Sequence, residues 1–236
     1  MGESITYRII KQRAVPAIAI RKLVGNEKCY IGVSLNNPFF YGKHLPLLFK
    51  WIAGHFQECI IIIGDHLNRI NETILHGKQG EDAIADSLKK GDFLIERIKE
   101  AISELDTKKF TIFRWADYIA LYPEIFEEKK KLIQYAKIDA ELGNAINESS
   151  IEFITRLANR NEPMFVSAAE AMICSKEYIL EEMAVFTKII EMGYVVQVYP
   201  GTQLEILKKM ARGDFPQIQS SLKRGIYIDL TVKKRK

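Results

Sequence analysis

Short apolar runs alternate along this chain with longer stretches in which apolar residues recur every three or four positions. The short runs predict strands at Ile5 to Ile10, Lys28 to Val33, Cys59 to Gly64, Phe110 to Arg114, Tyr194 to Tyr199 and Ile226 to Val232. The longer stretches predict helices over His44 to Phe56, Ile84 to Leu105, Trp115 to Tyr135, Ile138 to Asn159, Ala168 to Met192 and Thr202 to Ala211. Gly193 follows the last periodic residue of its helix and fits a C-cap. This order predicts an α/β fold: a Rossmann-like, mostly parallel, doubly wound sheet with helices on both faces. No internal repeat, low-complexity linker or break in composition divides the chain, so residues 1–236 are expected to form one domain.

In such a sheet the ligand crevice lies at the carboxyl ends of the strands. Three loops are expected there, beginning at Ser34 ("GVSLNNPFF"), at Asp65 ("IIIIGDHLNRIN") and at Tyr199 ("VVQVYPG"). If their strands are adjacent and parallel, the three side chains converge on one crevice.

Composition narrows the class of protein without naming a chemistry. The chain has 236 residues, 47% of them hydrophobic, enough for a continuous core. No apolar run approaches the roughly 18 to 20 residues of a membrane span, and the N-terminus lacks the apolar stretch of a signal peptide. Cys29, Cys59 and Cys174 show no CxxC pair or zinc-ligand spacing and are read as reduced core residues of a cytoplasmic protein. The net charge of +4 is unevenly spread: residues 201–236 hold nine basic and three acidic side chains, while residues 1–200 sum to −2. One end of the molecule would therefore attract a polyanion. The basic tail at 233–236 is expected to be disordered, and Lys129-Lys130-Lys131 to be a solvated helix face.

Several chemistries are unsupported. There is no phosphate-cradling GxxxxGK[ST] and no GxGxxG after a strand. The four histidines (His44, His55, His66, His76) form no HExxH, and GVSLN lacks the second glycine of a nucleophile elbow. One pair is suggestive: in "SKEYILEEMAVF", Tyr178 and Glu182 stand four apart, hence on one helix face. Ala171, Met172, Ile179, Met183 and Phe186 lie nearby, so that face is at least partly buried, and a buried carboxylate needs a cation or donors around it. A surface lysine paired with Glu182 and a packing role for Tyr178 is the plainer alternative.

Taken together, Ser34 with Asn37 in "GVSLNNPFF", Tyr178 with Glu182 in "YILEEMAVF", and Tyr199 after "VVQV" resemble the cyclodipeptide synthases, over residues 28–212. The segments ending at Asp65, "FRWADY" and "YPGTQLEIL" add weaker matches. Tyr199-Pro200 places the chain with the proline branch of that family, although Asn37 is shared with the histidine branch and Ala184 stands where many members have proline. The resemblance implies a fold like the catalytic domain of class I tyrosyl- and tryptophanyl-tRNA synthetases. The HIGH-like and KMSKS-like signatures of those enzymes are missing here, as suits a protein that does not activate amino acids itself.

The resemblance also implies a reaction. Ser34 takes the amino acid from one aminoacyl-tRNA, its amine attacks a second, and the dipeptide closes to a diketopiperazine. Tyr178 and Glu182 would hold the substrate ammonium, Tyr199 would relay a proton, and Asn37 would orient the Ser34 loop or donate to the oxyanion. Tyr30 and Gly32 would line the first aminoacyl pocket. Pro200 would make Tyr199 part of a rigid wall that favours the cis peptide of the ring. Two aminoacyl-tRNAs would be the partners, drawn by Lys89, Lys90 and Arg97 on one helix or by Lys208, Lys209 and Arg212. No cofactor, metal or membrane is implied, and the chain is read as a monomer. A catalytically silent aminoacyl-tRNA binder and another serine acyltransferase or esterase remain as alternatives.

Overall fold

The computed structural model describes residues 7–17, 22–23, 27–159 and 162–234. Six strands form one sheet: β1 (Tyr7–Val15), β2 (Lys28–Val33), β3 (Glu58–Ile63), β4 (Phe110–Arg114), β5 (Val196–Pro200) and β6 (Ile226–Lys234), in the spatial order β1-β6-β5-β2-β3-β4. All neighbours are parallel except β1, which runs antiparallel to β6 at the edge. The eight helices among the described residues are α1 (Leu45–His55), α2 (Asp65–His76), α3 (Gly80–Ile102), α4 (Trp115–Leu121), α5 (Ile125–Ile138), α6 (Ala140–Asn159), α7 (Ala168–Glu191) and α8 (Glu205–Arg212). None is long and apolar enough to cross a membrane.

The central strands are apolar on both faces, as a parallel sheet covered twice requires. Tyr30, Ile60 and Ile62 pack with Met183, Phe186 and Ile190 of α7. On the other face Ile31, Val33, Ile61 and Ile63 pack with Leu48 and Phe49 of α1 and with Leu94 and Ile98 of α3. From β2 the chain moves outward through β3 and β4, then returns to the opposite side of β2 as β5. The order of strands therefore reverses between β2 and β5, where a crevice is expected. Their pairing is short, Cys29 with Val196 and Tyr30 with Gln197, whereas β2 and β3 are matched over six positions.

Helix α7 carries the other half of this region. Ser167 and Glu170 close a capping box at its start. At its end Gly193 takes φ +92°, and the Tyr194 N–H reaches the Ile189 carbonyl, so the expected glycine cap is present.

Four expectations need correction. The segment from Asp65 is a helix that starts directly after β3, with Leu67, Ile70 and Ile74 buried. Asn68, Asn71 and Glu72 share its buried face and hide the apolar period. The helix expected over Trp115 to Tyr135 is broken at Tyr122, whose φ −129° and ψ 71° are non-helical because Pro123 follows. Lys233 and Lys234, expected in a disordered tail, end β6 opposite Arg8 and Tyr7; Arg235 and Lys236, like Ile5 of the first expected strand, lie outside the described residues. Lys129 is not solvated, as described below.

Candidate active site

Ser34 is the first residue beyond β2, and its carbonyl accepts from the Asn37 N–H (3.1 Å) in a tight turn. Asn37 caps the 3-10 turn Pro38–Tyr41: its Oδ1 accepts from the Phe39 N–H at 3.0 Å. Its Nδ2 crosses the crevice to donate to the Tyr199 hydroxyl (3.0 Å) and the Pro200 carbonyl (3.1 Å). Both amide protons are committed, so Asn37 orients the loop and has no donor left for an oxyanion. Pro200 is buried, and Gly201 beyond it takes φ +119°, a turn that a side chain would strain. Asn37 thus bridges the ends of β2 and β5 where their backbone pairing has ceased.

Two phenols stand near Ser34. Tyr178 and Tyr199 both lie close enough to Ser34 for its hydroxyl to favour their ionised forms slightly. Burial, then the nearby Glu182 carboxyl, pushes Tyr178 well above its ordinary value, and burial pushes Tyr199 up to about 12 despite the Asn37 hydrogen bond. Both phenols therefore stay protonated at neutral pH. Glu182 keeps some contact with solvent, yet protein surrounds it and no basic residue among those described pairs with it. Burial pushes its carboxyl up to about 8.

Beneath the serine, Tyr30 and Gly32 face α7. The Tyr30 ring tilts against Phe186 at 5.1 Å, and its fully buried hydroxyl has no hydrogen-bond partner among the described residues. A Cβ on Gly32 would stand 3.1 Å from the Phe186 ring, so glycine permits the close approach of α7 to β2 here. The neighbouring Gln197 Oε1 is likewise buried and unpartnered.

The structure thus brings together Ser34, Asn37, Tyr178, Glu182 and Tyr199, with Tyr30, Gly32 and Pro200 around them. Asp65 does not join them. It is buried and accepts from Arg114 Nε (2.6 Å), from the Trp115 N–H (3.2 Å) and from the His66 N–H (2.8 Å). A second group escaped the sequence reading. Glu181, next to Glu182, accepts from both Arg69 terminal nitrogens (3.2 and 3.0 Å), from Trp115 Nε1 (3.0 Å) and from Lys129 (3.1 Å). Lys129 also pairs with Glu177, one turn earlier on α7, and no spacing along the sequence signals this cluster.

The basic candidates divide. Lys208 is fully buried and donates to Asp229 at 2.6 Å; Asp229 also accepts from the Gln203 N–H and lies beside Tyr199 in the sheet register. It cannot meet a phosphate, which corrects that expectation. Lys209 pairs with Glu148, and Arg212 with Glu205 and Asp214, each at 3.0 Å. Lys90 pairs with Glu72. Lys89 and Arg97 have no carboxylate partner among the described residues. A shallow cleft of about 290 Å³ beside Glu141, Lys209 and Phe215 contains none of the residues around Ser34. Among the described residues no three His, Cys, Asp or Glu side chains are grouped as metal ligands would be.

A hydroxyl flanked by two protonated phenols and an acid that titrates near neutrality is equipped for acyl transfer with local proton exchange. Comparisons with known proteins show the family. The sequence profile of the cyclodipeptide synthases matches residues 21–225. No curated protein matches the chain. Among solved structures, a cyclodipeptide synthase from Fluoribacter dumoffii is similar at a TM-score of 0.81 and 19% identity, over 98% of this chain and 100% of that one. The Mycobacterium tuberculosis cyclodipeptide synthetase, described as related to type I tRNA synthetases, gives 0.68 and 17% over 100% and 99%. The synthase from Candidatus Glomeribacter gigasporarum, solved bound to Phe-tRNA, gives 0.52 and 12% over 92% of each chain. The fold is that of the Rossmann-like domain of class I tRNA synthetases, and the chain belongs to the cyclodipeptide synthase family, the tRNA-dependent aminoacyltransferases that form cyclic dipeptides.

Proposed function

We propose that this member of the family makes a diketopiperazine by ping-pong acyl transfer through Ser34. The observation that carries the reading is that Ser34 lies among two buried phenols and an acid whose carboxyl burial pushes up to about 8. In the first step Ser34 Oγ attacks the ester carbonyl of an aminoacyl-tRNA. The C–O bond to the terminal ribose breaks, and the serine proton leaves with the ribose hydroxyl. No histidine is needed, because the ester is already activated and the demand falls on positioning.

The substrate's α-ammonium supplies the cation that Glu182 lacks. Free α-amines titrate at about 7.7 to 8.0, close to Glu182, so passing the proton between them costs little. The freed amine attacks the second aminoacyl ester and forms the peptide bond, and the second tRNA departs with a proton. The new terminal amine then attacks the Ser34 ester, closing the ring and restoring the serine hydroxyl by way of Tyr199. Ring closure requires a cis peptide, which costs about 2.5 to 4 kcal/mol for non-proline residues, and in this reading the Tyr199-Pro200 wall favours it.

Intact-protein mass spectrometry after incubation with a mixed pool of charged tRNA tests this directly. The expected result is an added aminoacyl mass that maps to Ser34 and is absent in Ser34→Ala. Cyclic dipeptide formed with no adduct at Ser34 would overturn the covalent route.

A further inference from the structure

We propose that the exposed ring pair Tyr41–Phe93 is a stacking platform for unpaired bases at the 3′ end of the aminoacyl-tRNA, an inference that rests on the aminoacyl-tRNA reading above. Tyr41 ends the 3-10 turn that follows the Ser34 loop, and Phe93 projects from α3. Their rings are 15° from parallel with centroids 6.0 Å apart, and they are 37% and 53% exposed. A single exposed aromatic needs no explanation. Two stacked ones among unpaired cations do.

Lys89, Phe93 and Arg97 are four apart in succession and form one stripe of α3. The Arg97 guanidinium lies 5.7 Å from the Phe93 ring, and its Nη2 reaches the Gly42 carbonyl at 3.4 Å. Its Nε is buried without a partner. Lys43 is exposed just beyond Tyr41. No carboxylate among the described residues neutralises Lys89 or Arg97, unlike Lys209 and Arg212. A single-stranded nucleic acid asks for this combination: flat faces for its bases and fixed positive charge for its backbone.

Position selects the 3′ end. The Tyr41 hydroxyl donates to the carbonyl of Leu35 at 2.9 Å, and Leu35 is the neighbour of the nucleophile. The amino acid delivered to Ser34 hangs on the terminal ribose of its carrier. The bases at that end must therefore lie within a nucleotide or two of the ring pair. A stacked base would fix the carrier while the same tyrosine holds the loop that receives the acyl group.

The test is fluorescence anisotropy with a short, uncharged, 5′-labelled RNA ending in CCA, measured on the whole protein and on Phe93→Ala. Phe93 is over half exposed, so its truncation leaves the core intact, and Phe93→Leu controls for lost apolar area. Stacking on one ring leads us to expect about tenfold weaker binding in Phe93→Ala, with the salt dependence unchanged because no phosphate contact is lost. The same RNA made abasic at its last positions should bind the native protein no better than the intact RNA binds the variant. Equal binding by native and variant protein, or tight binding of the abasic RNA, overturns the platform. In the acylation assay, an unchanged half-saturating concentration of charged tRNA in Phe93→Ala rejects the platform while the Ser34 route stands. Absence of acylation in the native protein rejects that route instead, and the RNA binding still decides on the rings.

Discussion

Glu181 and Glu182 are adjacent on α7, yet they are electrostatic opposites. Burial opposes the ionisation of Glu181, but Arg69 and Lys129 outweigh it and hold the carboxyl below its ordinary range. Glu182 is one step round the helix, lies near the phenols of Tyr30, Tyr178 and Tyr199 with no basic partner among the described residues, and is pushed by burial to about 8. The lesson is that the residue type does not decide the role; what faces it does. On one side α7 is bolted to α2, α4 and α5 by a carboxylate with every site filled. On the other it presents an acid with no basic partner among the described residues.

The sharpest way to break this contrast is to remove the two acids in turn. Glu182→Gln should cut cyclic dipeptide formation by about 10²- to 10⁴-fold, the usual weight of a positioned acid–base, while the fold survives. Product measured by mass spectrometry at a near-native rate would deny Glu182 its role. Glu181→Ala should behave in the reverse sense, costing about 3 kcal/mol of stability in a urea titration because Arg69 and Lys129 lose their partner in a largely buried place. Stability within experimental error of the native protein would show that the clamp contributes nothing.

A smaller effect separates the two acids by pH. Glu182 holds in the folded state a proton that the unfolded chain gives up at its ordinary value of 4.5. The stability tied to that proton is complete below about 4.5 and is lost as pH rises through about 8. Native protein should therefore fall behind Glu182→Gln by about 2 kcal/mol between pH 5 and 9, less than full burial would give because some water reaches the group. Glu181 has the opposite sign, its contribution fading as pH falls below the ordinary carboxylate range. Parallel melting curves for native and Glu182→Gln proteins across that range would refute the assignment.

Much of this architecture is written locally, and some is not. β2 and β4 are read to the residue, because their runs are apolar and bounded by polar turns. Helix α2 escapes because its buried side mixes Asn68, Asn71 and Glu72 with leucine and isoleucine. The residues around Ser34 are only partly legible from spacing, since Tyr178 and Glu182 share a helix face, Ser34 follows β2 and Tyr199 lies near the end of β5, and it is the family resemblance that joins them. Glu181 is not legible: its partners come from α2, α4 and α5, and no spacing along the chain joins Arg69, Trp115 and Lys129. Lys208 misleads for the same reason. A lysine in a basic segment reads as surface until Asp229 of another strand is seen to bury it.

The bond between Asn37 and Tyr199 joins positions 162 residues apart. During synthesis β2 therefore leaves the ribosome long before β5 exists. A half-made chain carries Ser34 without Tyr178, Glu182 or Tyr199. The crevice around Ser34 is therefore complete only once the last parallel strands have docked.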